Sequence, residues 1–452
     1  MKPSKFTYTN FIFFGISLST IFILIYNILY FNPILGYDAE AHYAYINYLS
    51  RYLPRDFRLP TINETREFFN PPIGYLVPSV AQVICRNVIE SSDFLSDCQP
   101  YYGKVTQVFQ SFMYIATIFI NLVTLKSINN SNKLINVGYL ILISLLAVNY
   151  RTISMIRGEP YILFFMSIFL YLIYKHEKSE FEFNYKYIFY TGLIIGAIAL
   201  SRQWGFLLFL PLIFLFFSKE LNIKYLKLWS LSAFFGAAFS SWFYINLFLR
   251  YGTFTPFNLD PRGFSFSNQK LSFYIPNSEH LYYLFTKPIR PHLDNQFISI
   301  LYSDLWGDYW GYFTFTSRFL DIGRNQLAIG DYFARINIIS AFTSIVIIGL
   351  CIKTFRKYKS RFIVQYLKLA IICSFLGYLI FAIAYPDATS DTVKATYIIQ
   401  LFHLMVFTAS IYLNYLEKIN RKIYLSIISF LVIAYIHNFQ SYLSHFPINF
   451  YP

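Results

Sequence analysis

Acidic, basic and imidazole groups in this chain gather at the ends of apolar runs, where they have little reason to be unless they do chemistry. The first run stops at Gly36-Tyr37-Asp38-Ala39-Glu40-Ala41-His42-Tyr43, two carboxylates and an imidazole within five positions. A carboxylate there can take a proton from an acceptor hydroxyl or hold a divalent cation. Acids beside lipid are costly and tend to be functional. Asp38 also reads as a helix N-cap, because Tyr45, Ile46, Leu49, Tyr52 and Leu53 recur at helical spacing behind it, as in a helix lying along an interface. Residues two apart on a helix point in roughly opposite directions, so Asp38 and Glu40 share a site only if their segment is extended or turned.

Three further stretches repeat the pattern. Arg157-Gly158-Glu159-Pro160, Arg202-Gln203-Trp204 and the run from Asp387 through Asp391 to Lys394 each set a base beside an acid or an aromatic in a short connection. A lone Arg or Lys at a membrane boundary snorkels to headgroups. Several converging with carboxylates suit an anionic ligand such as a lipid phosphate. Tyr302-Ser303-Asp304-Leu305-Trp306-Gly307-Asp308-Tyr309-Trp310-Gly311-Tyr312 interleaves aromatics with acids. That composition fits either sugar contacts at Asp304, Trp306 and Asp308 or an interfacial aromatic belt. Glu67-Phe68-Phe69-Asn70-Pro71-Pro72-Ile73 reads as a helix start fixed by its prolines.

The elements that must hold these groups are apolar helices. Of 452 residues 56% are hydrophobic, 21% aromatic and 13% charged, against roughly 25% charged in soluble domains. Apolar runs near 11–30, 106–125, 134–150, 160–174, 187–201, 204–218, 227–249, 335–353, 362–384, 395–414 and 423–438 predict an all-α polytopic membrane protein of about 11 spans in one membrane domain. Lysines and arginines fill alternate short loops, most strongly Lys353, Arg356, Lys357, Lys359 and Arg361. The positive-inside rule then gives a cytoplasmic N-terminus and two large external loops, 32–105 and 250–334. The net charge of +14 belongs to these topology signals and to lipid headgroups, not to a nucleic-acid surface. Cys85 and Cys98 fall in one external loop, either as a disulfide or as two thiols. No P-loop, GxGxxG in strand–helix context, HExxH, CxxC or GxSxG occurs, which speaks against nucleotide hydrolysis.

In order and topology the chain resembles the GT-C glycosyltransferases, in particular the branch of protein O-mannosyltransferases and aminoarabinose transferases. The resemblance rests on Asp38-Ala39-Glu40, where that branch has adjacent Asp-Glu, and on Asn70-Pro71-Pro72-Ile73, with Asn in place of His. Arg157-Gly158-Glu159, Arg202 and Lys394-Ala395-Thr396-Tyr397 complete it. It implies a GT-C-like fold with interfacial helices in the external loops, and inverting transfer of a sugar from a polyprenyl-phosphate donor to a glycan, lipid or protein acceptor outside a plasma (inner) membrane. Asp38 would be the general base and Glu40 its partner. Arg202, Lys394 and Arg157 would meet the donor phosphate, and His42, Glu159 and Tyr397 the sugar or acceptor. A divalent metal stays open. The competing reading is a transporter or flippase of lipid-linked sugars, which would need charges deep within the spans.

Overall fold

The computed structural model describes residues 8–444 apart from 34, 54, 89–93, 130–133, 135, 219–222, 260, 315–323 and 388–390, so part of the second expected loop lies outside the described residues. Helices α1 (Tyr8–Tyr30), α2 (Ala39–Tyr52), α3 (Ile73–Val88), α4 (Phe94–Ile128), α5 (Val137–Ser144), α6 (Ala147–Ser154), α7 (Glu159–Lys178), α8 (Tyr185–Ala199), α9 (Leu210–Ser218) and α10 (Ile223–Tyr251) form the first part. Then follow α11 (Leu271–Tyr274), α12 (Ser278–Thr286), α13 (Phe297–Trp306), α14 (Arg324–Lys357), α15 (Phe362–Ala384), α16 (Ile399–Ile419) and α17 (Arg421–His437). Short 3₁₀ turns occupy Gln203–Leu208 and Ala395–Ile398. Among the described residues the regular structure is helical throughout.

Every apolar run in the sequence meets a helix, but the count of about 11 spans is not reached. Among the described residues six helices are long and apolar enough to cross a membrane, or seven if α5 and α6, bent by 64° at their junction, make one broken span. The reason is length for three of the runs, α17 having 17 residues and α8 and α9 fewer, while α7 has 20 but is charged at both ends and not apolar enough. At 1.5 Å per residue a helix needs about 20 residues to cross a hydrocarbon core, and α8 has 15, while the next run is split between a 3₁₀ turn and the 9 residues of α9. The chain is thus an all-α membrane protein with long spans and shorter apolar helices packed among them.

The segment Ala395–Ile419, which contains α16, is the hub: 89% of its apolar window is buried, against 33% for α1, α10 and the Gly330–Lys357 segment. A helix apolar all round belongs inside a bundle, while helices with one buried stripe present the rest to lipid. Helices α8 and α10 pack closely because Gly192 and Gly196 face Gly236. A methyl on either α8 glycine would come within 3.0 Å of a carbonyl oxygen of α10, that of Ser232 or Gly236.

A second, smaller core holds the head of the first loop. Tyr45, Ile46 and Leu49 make the buried face of α2 and pack with Tyr75, Ala81 and Cys85 of α3 and Tyr102 of α4. The rings of Tyr45 and Tyr75 stack at 4.0 Å. Cys85 and Cys98 are disulfide-bonded across the α3–α4 connection, with Cα atoms 5.9 Å apart. Pro71 and Pro72 immediately precede α3, in the place that the fixed φ of proline favours at a helix start.

Candidate functional site

The polar groups picked out at the ends of apolar runs converge from four parts of the chain. Asp38 occupies the N-cap position of α2 with φ 55 and ψ 20, a left-handed conformation that Asp tolerates better than most residues. Its carboxylate makes no cap hydrogen bond. It gives up a contact usually worth about 1 kcal/mol and instead meets two cations. Arg66 Nη2 lies 2.9 Å from Oδ1, and Lys394 Nζ lies 3.5 Å from Oδ2. The capping alternative is therefore half realised: the backbone caps, and the side chain does not.

Asp38, Arg66, Glu67, Asn70, Arg202, Trp204, Lys394 and Tyr397 line one cavity of about 450 Å³, with Asp387 and Asp391 also on its wall. Lys394 is 3% exposed. Its ammonium also lies 3.2 Å from Asp391 and about 5 to 6 Å from the ring centroids of Tyr37, Trp310 and Tyr397. Burial would lower its affinity for a proton, but Tyr397, Asp38 and Asp391 more than reverse this, so Lys394 stays charged. Burial would raise the Asp38 carboxyl, yet the cations Lys394, Arg157 and Arg66 hold it well below the usual carboxylate range.

Arg202 is clamped by acids on two sides. Its Nε donates to Glu159 Oε1 at 3.0 Å, Nη1 lies 3.7 Å from Glu67 Oε2, and the same nitrogen donates to Asn70 Oδ1. Glycine makes the clamp possible. The turn Arg157-Gly158-Glu159 abuts the carbonyl of Ser201, where any Cβ on Gly158 would collide with backbone. This contact sets the N-terminus of α7 against the turn that carries Arg202.

Behind the cavity wall lies a supporting layer. Arg157 does not line the cavity. It donates to the Tyr37 carbonyl at 3.0 Å, lies 3.8 Å from Glu159 and sits over the Tyr37 ring at 5.0 Å. Asp304 and Asp308 hold Arg151 at 3.0 and 3.6 Å, all three buried. Asp304 also accepts from the Tyr37 hydroxyl and from the Ala395 backbone, and Asp308 from the amides of Phe313 and Thr314. Trp306 is 1% exposed. Asp304, Trp306 and Asp308, which fit either sugar contacts or an aromatic belt by composition, do not line the cavity; the two carboxylates are the counter-charge of buried Arg151.

Glu40 is exposed on the first turn of α2 and is not on the cavity wall, as expected for positions two apart on a helix. His42 is buried one helical turn behind Asp38, with Nδ1 2.7 Å from the Tyr75 hydroxyl. Burial, then Arg157 and Arg202, hold its pKa well below that of an ordinary imidazole, so it is neutral. Sequence reading did not single out Arg66 and Glu67 as site residues. The available signal was a charged pair three residues before Asn70-Pro71-Pro72, set between apolar segments in a loop that already carried Asp38.

Among the described residues no group of three His, Cys, Asp or Glu side chains could hold a metal ion; on the cavity wall Asp38 is paired with Arg66 and Lys394, and Glu67 with Arg202 and Asn70.

A second cavity of about 650 Å³ opens between α8, α9 and α10. It is lined mainly by apolar side chains, among them Phe209, Leu212, Phe216, Trp229 and Tyr244. Phe206 and Thr255 belong to the walls of both cavities, so the charged pocket and the apolar groove adjoin.

No family model and no curated protein matches the chain. Among solved structures it is similar to the oligosaccharyltransferase of Archaeoglobus fulgidus, crystallised in complex with Zn and sulfate. The TM-score is 0.49 at 12% identity, over 96% of this chain and 53% of that one. The chain thus spans about half the length of that structure, and a likeness at this level carries nothing over.

Proposed function

We propose that this chain is a membrane glycosyltransferase of GT-C type that moves a sugar from a polyprenyl-phosphate donor to an acceptor hydroxyl with inversion. One observation carries the reading: a cavity walled by Arg66, Arg202, Lys394 and Asp38 adjoins a long apolar groove, sharing Phe206 and Thr255. An anionic head joined to a long hydrocarbon tail is the ligand class that fills both. The near-parallel rings of Trp204 and Tyr397, with centroids 6.0 Å apart on the cavity wall, are aromatic surface for a sugar.

In this mechanism Arg202 and Lys394 bind the donor phosphate, and their charge is worth more at a dry boundary than in water. Asp38 accepts the proton of the acceptor hydroxyl as its oxygen attacks the anomeric carbon. Such a base contributes about 10²–10⁴-fold. A carboxylate held by cations is a weak base, and the donor answers this. A phosphate beside Lys394 competes with Asp38 for the ammonium and restores basicity at the step that needs it. The charged groups sit at helix ends, before α2, α7 and α16 and after α8, which favours surface chemistry over the mid-span charges of a transporter.

The test is release of free polyprenyl phosphate by purified protein in proteoliposomes, offered a panel of polyprenyl-phosphate sugars with acceptor glycans, lipids and peptides. Turnover abolished by Asp38→Asn, and kept within about threefold by Glu40→Gln, supports the reading. Absence of turnover with every donor, or full activity of Asp38→Asn, overturns it.

A further inference from the structure

Glu67 stands in the cavity wall, yet the mechanism above leaves it without a part. Its side chain is almost fully buried, on the connection that leads from α2 to α3. Oε2 accepts from Asn70 Nδ2 and lies 3.7 Å from Arg202 Nη1, which leaves Oε1 as the oxygen that can carry a proton. The same guanidinium is already engaged by Glu159 at 3.0 Å. Glu67 therefore shares one cation with another buried acid, whereas Asp38, in the same cavity, has two cations at 2.9 and 3.5 Å.

The consequence is that the two carboxyls hold protons differently. Burial pushes the Glu67 carboxyl up, Arg202 opposes this, Asp38 adds to the rise, and Arg157 and Asn70 oppose it. The other titratable groups coupled to it are Tyr75 from α3 and Tyr397 from the turn before α16. Asp38 goes the other way, well below the usual range, because its cations outweigh burial. Two carboxyls driven apart by their surroundings are the usual setting for one acid and one base.

We infer that Glu67 is the general acid of the transfer proposed above, protonating the phosphate oxygen that leaves while Asp38 takes the acceptor's proton. The assignment rests on that reading of the site. The acceptor O–H bond breaks and its proton goes to Asp38, while the acceptor oxygen bonds to the anomeric carbon. The bond from that carbon to the phosphate oxygen breaks with its electron pair on oxygen, and the Oε1 proton of Glu67 passes to the phosphate. Polyprenyl hydrogen phosphate then departs with the single negative charge that the donor brought. Asp38 returns its proton to Glu67 through water that enters as product leaves. A phosphate monoester dianion takes up a proton with a pKa of about 6, so a carboxyl raised above its ordinary range is matched to it. An ionised Glu67 would instead repel the growing charge on the leaving group.

The experiment is kcat and KM against pH for the reconstituted full chain with a polyprenyl-phosphate sugar, comparing wild type, Glu67→Gln and Glu67→Asp. Gln keeps an oxygen acceptor for Asn70 and Arg202 but has no proton to give. Glu67→Gln is expected to lower kcat about 10²-fold, leave the donor KM within about threefold and abolish the alkaline limb of the wild-type profile. Glu67→Asp is expected to recover part of kcat and to shift that limb. Glu67→Gln within threefold of wild type across pH overturns the inference while the base role of Asp38 stands. So does a raised KM with the alkaline limb unchanged, which is the signature of a residue that only positions Arg202. If Glu67→Gln does not fold, an alkaline limb unmoved by Glu67→Asp is the overturning result. A wild type inactive with every donor removes the functional reading itself.

Discussion

Replacing Glu159 by Gln tests whether the buried charges at the α7 N-terminus act as one unit. Glu159 is fully buried and faces two guanidiniums, Arg202 Nε at 3.0 Å and Arg157 Nη1 at 3.8 Å. Gln has nearly the same volume, so no cavity opens and the change is electrostatic. Arg202 keeps Glu67 at 3.7 Å, and Arg157 keeps the Tyr37 carbonyl at 3.0 Å. Removing one partner from a buried pair costs about 3–5 kcal/mol, and the contacts that persist place the expected loss at the lower end, about 3 kcal/mol. In a chain of this size that is a fall of about 3 °C in apparent Tm, read by thermal unfolding in detergent at fixed lipid and scan rate. The double variant Glu159→Gln/Arg202→Gln should be less destabilised than the sum of its singles, by about 1–3 kcal/mol. Donor KM should rise in Glu159→Gln as well, because Arg202 loses its Nε partner. A Glu159→Gln protein within 1 °C of wild type, with additive behaviour in the double variant, would refute the view that this cluster is held together by mutual compensation.

Two further outcomes follow from the same geometry. Gly158→Ala drives a methyl into the Ser201 carbonyl, so it should lose turnover and cost at least as much as an overpacked core, about 1–3 kcal/mol, measured as yield and apparent Tm beside Gly15→Ala, which meets nothing within 4 Å. Because Asp38 is held below its unfolded value by Lys394 and Arg157 against burial, its contribution to stability is present above the ordinary carboxylate range and is lost only as pH falls through its depressed folded value. The wild-type acid limb of kcat/KM from this group should therefore lie below about pH 3.9, and Lys394→Met should bring the limb of its residual activity upward, whereas an unmoved limb would mean that Lys394 does not set the state of Asp38.

The glycine and the ion pairs explain what the sequence could and could not reveal. Apolar runs of 15 to 23 residues announce helices because one-dimensional hydropathy reports burial in lipid or protein without distinguishing them. That is why every run met a helix, and why the number of full spans is not confirmed by helix length at α8 and α9. Asp38, Arg202 and Lys394 stood out as well, since a charge at the end of an apolar run is costly wherever the chain goes next, whereas Tyr397 was named only through the resemblance. Which charges face the cavity was not legible. Arg157, Asp304 and Asp308 look the same in sequence as Arg202 and Asp38, yet they lie behind the wall, Arg157 paired with Glu159 and the two aspartates with Arg151. Glu40, two residues from Asp38, turns to solvent, and Glu67, 29 residues away, takes the place in the cavity wall. Composition and local spacing determined that this chain is helical, apolar and charged at its helix ends. The pairing of those charges was decided only by tertiary structure, because an ion pair between α2, α7, the turn after α8 and the turn before α16 depends on distances that no local pattern encodes.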